Sequence, residues 1–311
     1  LVDMLDRAQG GAGGFAVLTG EAGIGKTRLV TEWAAEARRR GFVVLMGRAI
    51  DSGGSLRPVA QALMEAIRDR TLLDAAALRP FRAALSRVLP GIEADEPIAS
   101  TIDPTVVLGE GVLRLLRSVG GSGTLLLLED LHWADPDTVA LLDSLGGALS
   151  TSPVIVAATV RDDSPGSWVA RDLARIPGAL HVRLGQISYA DAAVMVEQSR
   201  PDLAETQRRL VITRAEGVPL VLEELLAGTS DASETVADTV PESFAELVHV
   251  RLGLLTDEQR RVLSALALIG GEPDWSLAAG VTDLDEQSVW SAARAAAVTS
   301  AHLLAAVCRQ S

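Results

Sequence analysis

One lysine constrains this chain more than any other residue. Of its 28 basic residues, Lys26 is the single lysine and all the others are arginine. It stands in Gly20-Glu21-Ala22-Gly23-Ile24-Gly25-Lys26-Thr27, a GxxxxGK[ST] spacing followed by Arg28. An arginine-rich chain that keeps lysine in one place points to a site needing a compact charge among crowded oxygens, which a planar guanidinium fork does not supply. The flanks agree. Phe15–Thr19 reads as a buried strand, and from Thr27 onward Leu29, Val30, Trp33 and Ala37 recur at helical spacing up to Gly41. Strand, glycine loop and helix make a P-loop. In it backbone N–H groups and the helix N-terminus face phosphates, Lys26 reaches the outer phosphates and the Thr27 hydroxyl reaches Mg²⁺. The expected ligand contacts are therefore Gly20 to Arg28, with ATP or ADP as the ligand.

A second cluster follows about a hundred residues later. Gly120-Gly121-Ser122-Gly123 precedes the apolar run Thr124–Leu128, which ends in Glu129 and Asp130. Such a run predicts a central parallel strand that delivers two carboxylates at its C-terminal edge, where a P-loop opens. One acid can hold the Mg²⁺ shell and the other can orient the attacking water; the residues alone leave the order open. A third apolar strand, Val154–Val160, ends at Arg161, followed by Asp162 and Asp163. Arg161 reads either as a γ-phosphate sensor or as a surface arginine paired with those aspartates.

Composition narrows the remainder. With 48% hydrophobic and 22% charged residues the chain can build a true core, and its 311 residues fit two or three domains. A formal net charge of −13 opposes contact with a polyanion, so direct DNA binding by this stretch is not expected. One cysteine, Cys308, allows no internal disulfide, and the four histidines show no metal-ligand spacing. No run approaches the roughly 18–20 apolar residues that span a bilayer, and no basic leader opens the chain, so a cytoplasmic, membrane-free setting is expected. The opening residues read as the middle of an amphipathic helix with Val2, Leu5 and Ala8 on one face. That start, and an abrupt end in CRQS, suggest a piece of a longer protein.

Further strands are predicted at Phe42–Met46 and Leu180–Leu184, alternating with helices at Pro58–Arg70, Thr105–Val119, Asp137–Leu149 and Trp168–Ile176. The fold class is α/β, a doubly wound parallel sheet. Between Leu73 and Pro104 four prolines mark an irregular or short-helical insertion. After Gly185 the pattern is helical, and the polar stretch Gly228–Val240 reads as a linker. The expected division is a nucleotide-binding domain over 1–186, a small helical domain over 187–228, a linker over 229–240 and a further helical domain over 241–311. In the last of these, Thr256 to Gln259 resembles a capped helix start.

Taken together, GEAGIGKTRL, LLLLEDLHWADPDT, VIVAATVRDD and GVPLVLEELL resemble the ATPase module of large LuxR-type transcriptional regulators, a group within the STAND signalling NTPases related to AAA+ proteins. EDLHWADPDT is the most specific of these. The resemblance implies that Lys26 and Thr27 are the Walker A pair, Glu129 and Asp130 the Walker B acids, and Arg161 the sensor arginine. It makes Gly217-Val218-Pro219 the GxP motif, with Pro219 against the nucleotide, although a proline opening a helix needs no ligand. It makes 187–228 a helical lid and 241–311 a winged-helix-like domain cut short. It also implies sensor and output domains elsewhere in the same chain and self-association on ATP binding. His132 and Trp133 are expected to shape the loop rather than to react. The chain starts just after the place of the family's Val-Gly-Arg-x-x-Glu segment, and its first Walker B acid is Glu129 where Asp is commoner.

Three functions remain compatible with the sequence: a slow ATPase switch, a scaffold that holds ADP structurally, and a small-molecule kinase. The last is weakest, because no arginine-rich lid over an acceptor follows the sheet. The same module also occurs fused to adenylate cyclase and kinase domains.

Overall fold

The computed structural model describes residues 1–51, 53–67, 76–89, 92, 103–162, 165–227, 255–269 and 275–299. It divides into two compact units, Leu1–Gly185 and Gln186–Ser311.

The first unit is built on a five-stranded parallel sheet in the order β2-β3-β4-β1-β5. The strands are β1 (Gly14–Gly20), β2 (Val43–Arg48), β3 (Thr124–Glu129), β4 (Val154–Arg161) and β5 (Leu180–Arg183). Parallel strands need crossovers and end up covered on both faces, which is why their sequences are near-continuous apolar runs. Side-chain alternation then sorts each run into two cores. Phe15, Val17, Leu126, Leu128, Val156 and Ala158 point to one face, where α3 (Arg57–Ala66), α5 (Pro104–Ser118), α6 (Pro136–Leu149) and α7 (Trp168–Leu173) pack. Ala16, Leu18, Leu125, Leu127, Ile155 and Ala157 point to the other, under α1 (Val2–Gln9) and α2 (Lys26–Arg39). Each fully buried leucine of these runs contributes roughly 1.5–3 kcal/mol.

Among the described residues of this unit the predicted strands and helices are found, with ends moved by one to a few residues. The N-terminal helix has a different inward face from the expected one: Met4, Leu5 and Ala8 are buried, whereas Val2 is 47% exposed. In the proline-rich insertion the described residues form a short 3-10 turn, Arg79–Phe81, and α4, Arg82–Leu85. The chain packs tightly where β2 meets α3. A Cβ at Gly47 would lie 1.8 Å from the Pro58 carbonyl oxygen, so the end of β2 and the start of α3 touch through backbone.

In the second unit α8 (Tyr189–Ser199), α9 (Glu205–Ala215) and α10 (Pro219–Ala227) share a core of Ala192, Val196, Val211, Ile212 and Leu222. Helices Asp257–Ile269, Trp275–Thr282 and Glu286–Thr299 form another around Val262, Leu266, Ala278 and Val289. The Thr256 cap is a reciprocal box: Gln259 N donates to Thr256 Oγ1 at 3.2 Å and Thr256 N donates to Gln259 Oε1 at 2.9 Å. The expected linker, the helix after Pro241 and Cys308 lie outside the described residues. Among the described residues no helix is long and apolar enough to cross a membrane.

Candidate functional site

The sheet order makes the C-terminal ends of β1, β4, β3 and β2 neighbours. Gly20 pairs in register with Arg161, and Arg48 with Glu129. Between them Asp130 N donates to Thr159 Oγ1 at 3.0 Å, which fixes the turn after β3 against β4. Lys26, Glu129, Asp130 and Arg161 are thus carried by adjacent strand ends and by the loop that follows β1.

That loop turns through left-handed glycines, Gly23 at φ 74° and Gly25 at φ 101°, conformations an L side chain rarely adopts. At Gly20 a Cβ would meet Leu184 O at 2.8 Å and Ile24 Cγ2 at 2.9 Å, so only glycine lets the loop lie this close to the chain after β5. Ala22 and Ile24 are buried and anchor the loop. α2 starts at Lys26, with Gly25 as its N-cap. The first-turn N–H groups of a helix have no intrahelical partner and favour an anion. Lys26 is only 8% exposed, and its Nζ donates to Gly20 O and Glu21 O, both at 2.7 Å. Two carbonyls turned inward by the loop hold the ammonium, as a buried charge requires. Thr27 and Arg28 are exposed on the first turn, and Arg28 pairs with Glu32 at 3.3 Å.

The two acids differ. Glu129 is 7% exposed; its Oε2 accepts from Arg48 Nη2 at 2.9 Å, while its Oε1 is buried with no hydrogen-bond partner. Leaving a buried carboxylate oxygen unsatisfied is costly, so this atom fits a hydrated divalent cation. Asp130 has φ 58° and ψ 36°, opens the 3-10 turn Leu131–Trp133 and is less buried. Among the described residues no three His, Cys, Asp or Glu side chains converge, so a cation here would need ligands from a bound phosphate as well. His132 is buried and Trp133 is 46% exposed, with ring centroids 5.1 Å apart. A Cβ at Gly166 would lie 1.9 Å from His132 O, so this turn is packed through its backbone. Asp162 takes its ion pair from Arg183 at 3.2 Å, and Asp163 lies outside the described residues. Pro219 opens α10 in the second unit, after Gly217 at φ 75°.

Sequence reasoning missed two residues. Arg48 ends β2 and reaches both acids. Asp135 caps α6, accepting from Thr138 N at 3.0 Å and Thr138 Oγ1 at 2.5 Å, and also accepts from Leu56 N at 3.1 Å, which ties the loop after β2 to the turn after β3. Burial raises its carboxyl pKa, but the Thr138 hydroxyl, the Thr138 amide and the Leu56 amide together outweigh this and hold it below the ordinary aspartate value. A depressed folded pKa contributes stability above the unfolded value of about 3.9, lost as pH falls through the folded value. Asp135→Asn is expected to lower the melting temperature at neutral pH, by an amount that shrinks below about pH 4. Melting curves of both proteins across that range check this; a constant gap would show that the charge is irrelevant.

A family model described as an AAA ATPase domain matches residues 1–157, which includes Lys26, Glu129 and Asp130 and stops short of Arg161. An uncharacterized protein of Rhizobium meliloti (strain 1021) is 25% identical over 301 residues, covering 85% of this chain; the chain spans 28% of that relative's length. Among solved structures, a Walker-type ATPase of Pyrococcus abyssi matches with a TM-score of 0.52 at 13% identity, covering 99% of this chain and 93% of that one. A signal transduction ATPase with numerous domains and a tetratricopeptide repeat sensor, from Pyrococcus horikoshii, matches with a TM-score of 0.46 at 20% identity, over 86% of this chain and 34% of that one. The family match covers half of the chain and both strand ends that carry the lysine and the acids, so the chain belongs to the AAA ATPase domain family.

Proposed function

We propose that this chain is an ATP-binding, slowly hydrolysing switch module of a larger LuxR-type transcriptional regulator, with sensor and output domains elsewhere in the same protein. The observation that carries the reading is the pairing of a buried, carbonyl-held Lys26 with a buried Glu129 whose Oε1 lacks a partner, on neighbouring ends of one parallel sheet. Family membership supports nucleotide binding; the regulatory role rests on the likeness of EDLHWADPDT and GVPLVLEELL to that group.

In this reading the Gly20–Gly25 loop and the first turn of α2 wrap the phosphates, and Lys26 neutralises their outer oxygens. Mg²⁺ bound with the triphosphate would neutralise part of its charge. Thr27 and Glu129 would hold it, Asp130 orients the attacking water and takes up its proton, and Arg161 contacts the γ-phosphate. Differential contacts of ATP and ADP with Arg161 then shift the module between two states.

Single-turnover hydrolysis tests the reading. A slow rate that Lys26→Ala abolishes supports the switch; no hydrolysis with tight ADP retention supports a nucleotide-bound scaffold instead. Arg161→Ala is expected to leave ADP affinity nearly unchanged and to erase the preference for ATP, measured by calorimetry. Equal effects on both nucleotides would remove the sensor role.

A further inference from the structure

Arg48 reaches both strand-end acids with one side chain. Its Nη2 lies 2.9 Å from Glu129 Oε2 and its Nε 3.4 Å from Asp130 Oδ2. The placement is built into the sheet. Arg48 and Glu129 are register partners on adjacent parallel strands, and Ala49 N donates to Glu129 O at 2.9 Å, so pairing continues past the end of β2. Arg48 N donates to Gln61 Oε1 at 3.0 Å, and Gly47 is pressed against Pro58, which fixes the arginine's backbone on α3 as well. The Arg48 side chain is half-exposed, while the Glu129 side chain is nine-tenths buried.

Two adjacent carboxylates repel each other, and one of them sits in a nearly dry position. A single fork that reaches both relieves the repulsion and fixes Glu129 by Oε2 alone. Oε1 is then the oxygen left without a donor. A competing counter-ion would be expected to cover both oxygens of the buried acid. Here one is held and the other is bare, which is the arrangement of a carboxylate presented to a further cation.

We propose that Arg48 is a positioning residue: it holds the Glu129 and Asp130 carboxylates so that Glu129 Oε1 is presented to the divalent cation that accompanies a bound nucleotide. This rests on the reading of the site given above. Arginine suits the task because its planar fork spans two carboxylates; an ammonium meets one at a time.

The test is calorimetric titration of the full chain with ATP, once with saturating Mg²⁺ and once with EDTA, for the wild type, Arg48→Ala and Arg48→Lys. In the wild type Mg²⁺ is expected to tighten ATP binding. In Arg48→Ala the EDTA affinity is expected to stay within about twofold while the Mg²⁺-dependent gain falls about tenfold, ~1.4 kcal/mol. Arg48→Lys should recover part of the gain through one carboxylate. A merely structural role would lower both affinities together and would not be rescued by lysine. An undiminished or larger Mg²⁺ gain in Arg48→Ala overturns the proposal, since Arg48 would then ignore or oppose the metal. If the wild type binds no ATP under either condition, the nucleotide-site reading itself fails and the proposal falls with it; binding in EDTA with a normal Mg²⁺ gain in both variants sinks the Arg48 role alone.

Discussion

Replacing Lys26 with alanine is expected to weaken ATP and ADP binding by about 100-fold or more, ~2.7 kcal/mol, leaving no measurable affinity in a calorimetric titration at micromolar protein. The ammonium is buried and satisfied by two loop carbonyls, so the loop is shaped around a small positive charge. Lys26→Arg is expected to do little better. A guanidinium carries its charge over three nitrogens in a plane, and the space between Gly20 O, Glu21 O and an incoming phosphate suits a compact group. Near-native affinity in the arginine variant would show that the chain's single lysine is an accident of composition.

The two acids are expected to separate binding from turnover. Asp130→Asn keeps size and hydrogen bonding but cannot take a proton, so the protein should bind ATP normally and hydrolyse it about 10²-fold or more slowly, as when a general base is lost. Glu129→Gln should instead remove most of the Mg²⁺-dependent gain in ATP affinity, because Oε1 is the buried oxygen without a donor. Single-turnover rates and Mg²⁺-dependent affinities for both variants check the assignment. If Glu129→Gln binds Mg²⁺-ATP normally but does not turn over, while Asp130→Asn loses the Mg²⁺ gain, the two roles are reversed.

Much of the sheet was legible because its strands are buried on both faces. Leu125–Leu128 and Val154–Val160 are runs that fit little else; glycines before the first, Pro153 before the second and acids after both mark the ends. The face of α1 was not. An eight-residue helix offers only two turns, and Val2, Leu5 and Ala8 satisfy helical spacing as well as Met4, Leu5 and Ala8 do. What decides between them is where the chain enters the sheet, which is a long-range property. Arg48 and Asp135 escaped for the same kind of reason. In a chain whose cations are nearly all arginine, nothing local separates Arg48 from its peers, and its partners lie some eighty positions away. Asp135 looked like one acid in a family motif; its tie to Leu56 exists only once β2 and β3 are neighbours.

The left-handed backbone at Asp130 favours the order in which the two acids are written. Glutamate belongs at position 129, inside the strand, where extended geometry gives its longer side chain room to reach across to β2. Position 130 turns sharply, and short polar residues such as Asp and Asn tolerate that conformation better than glutamate does. Exchanging the pair would put the long side chain where the chain bends and the short one where reach is needed. The order Glu-Asp thus suits the backbone shape, and a relative that carries the reverse order is expected to bend at a different residue.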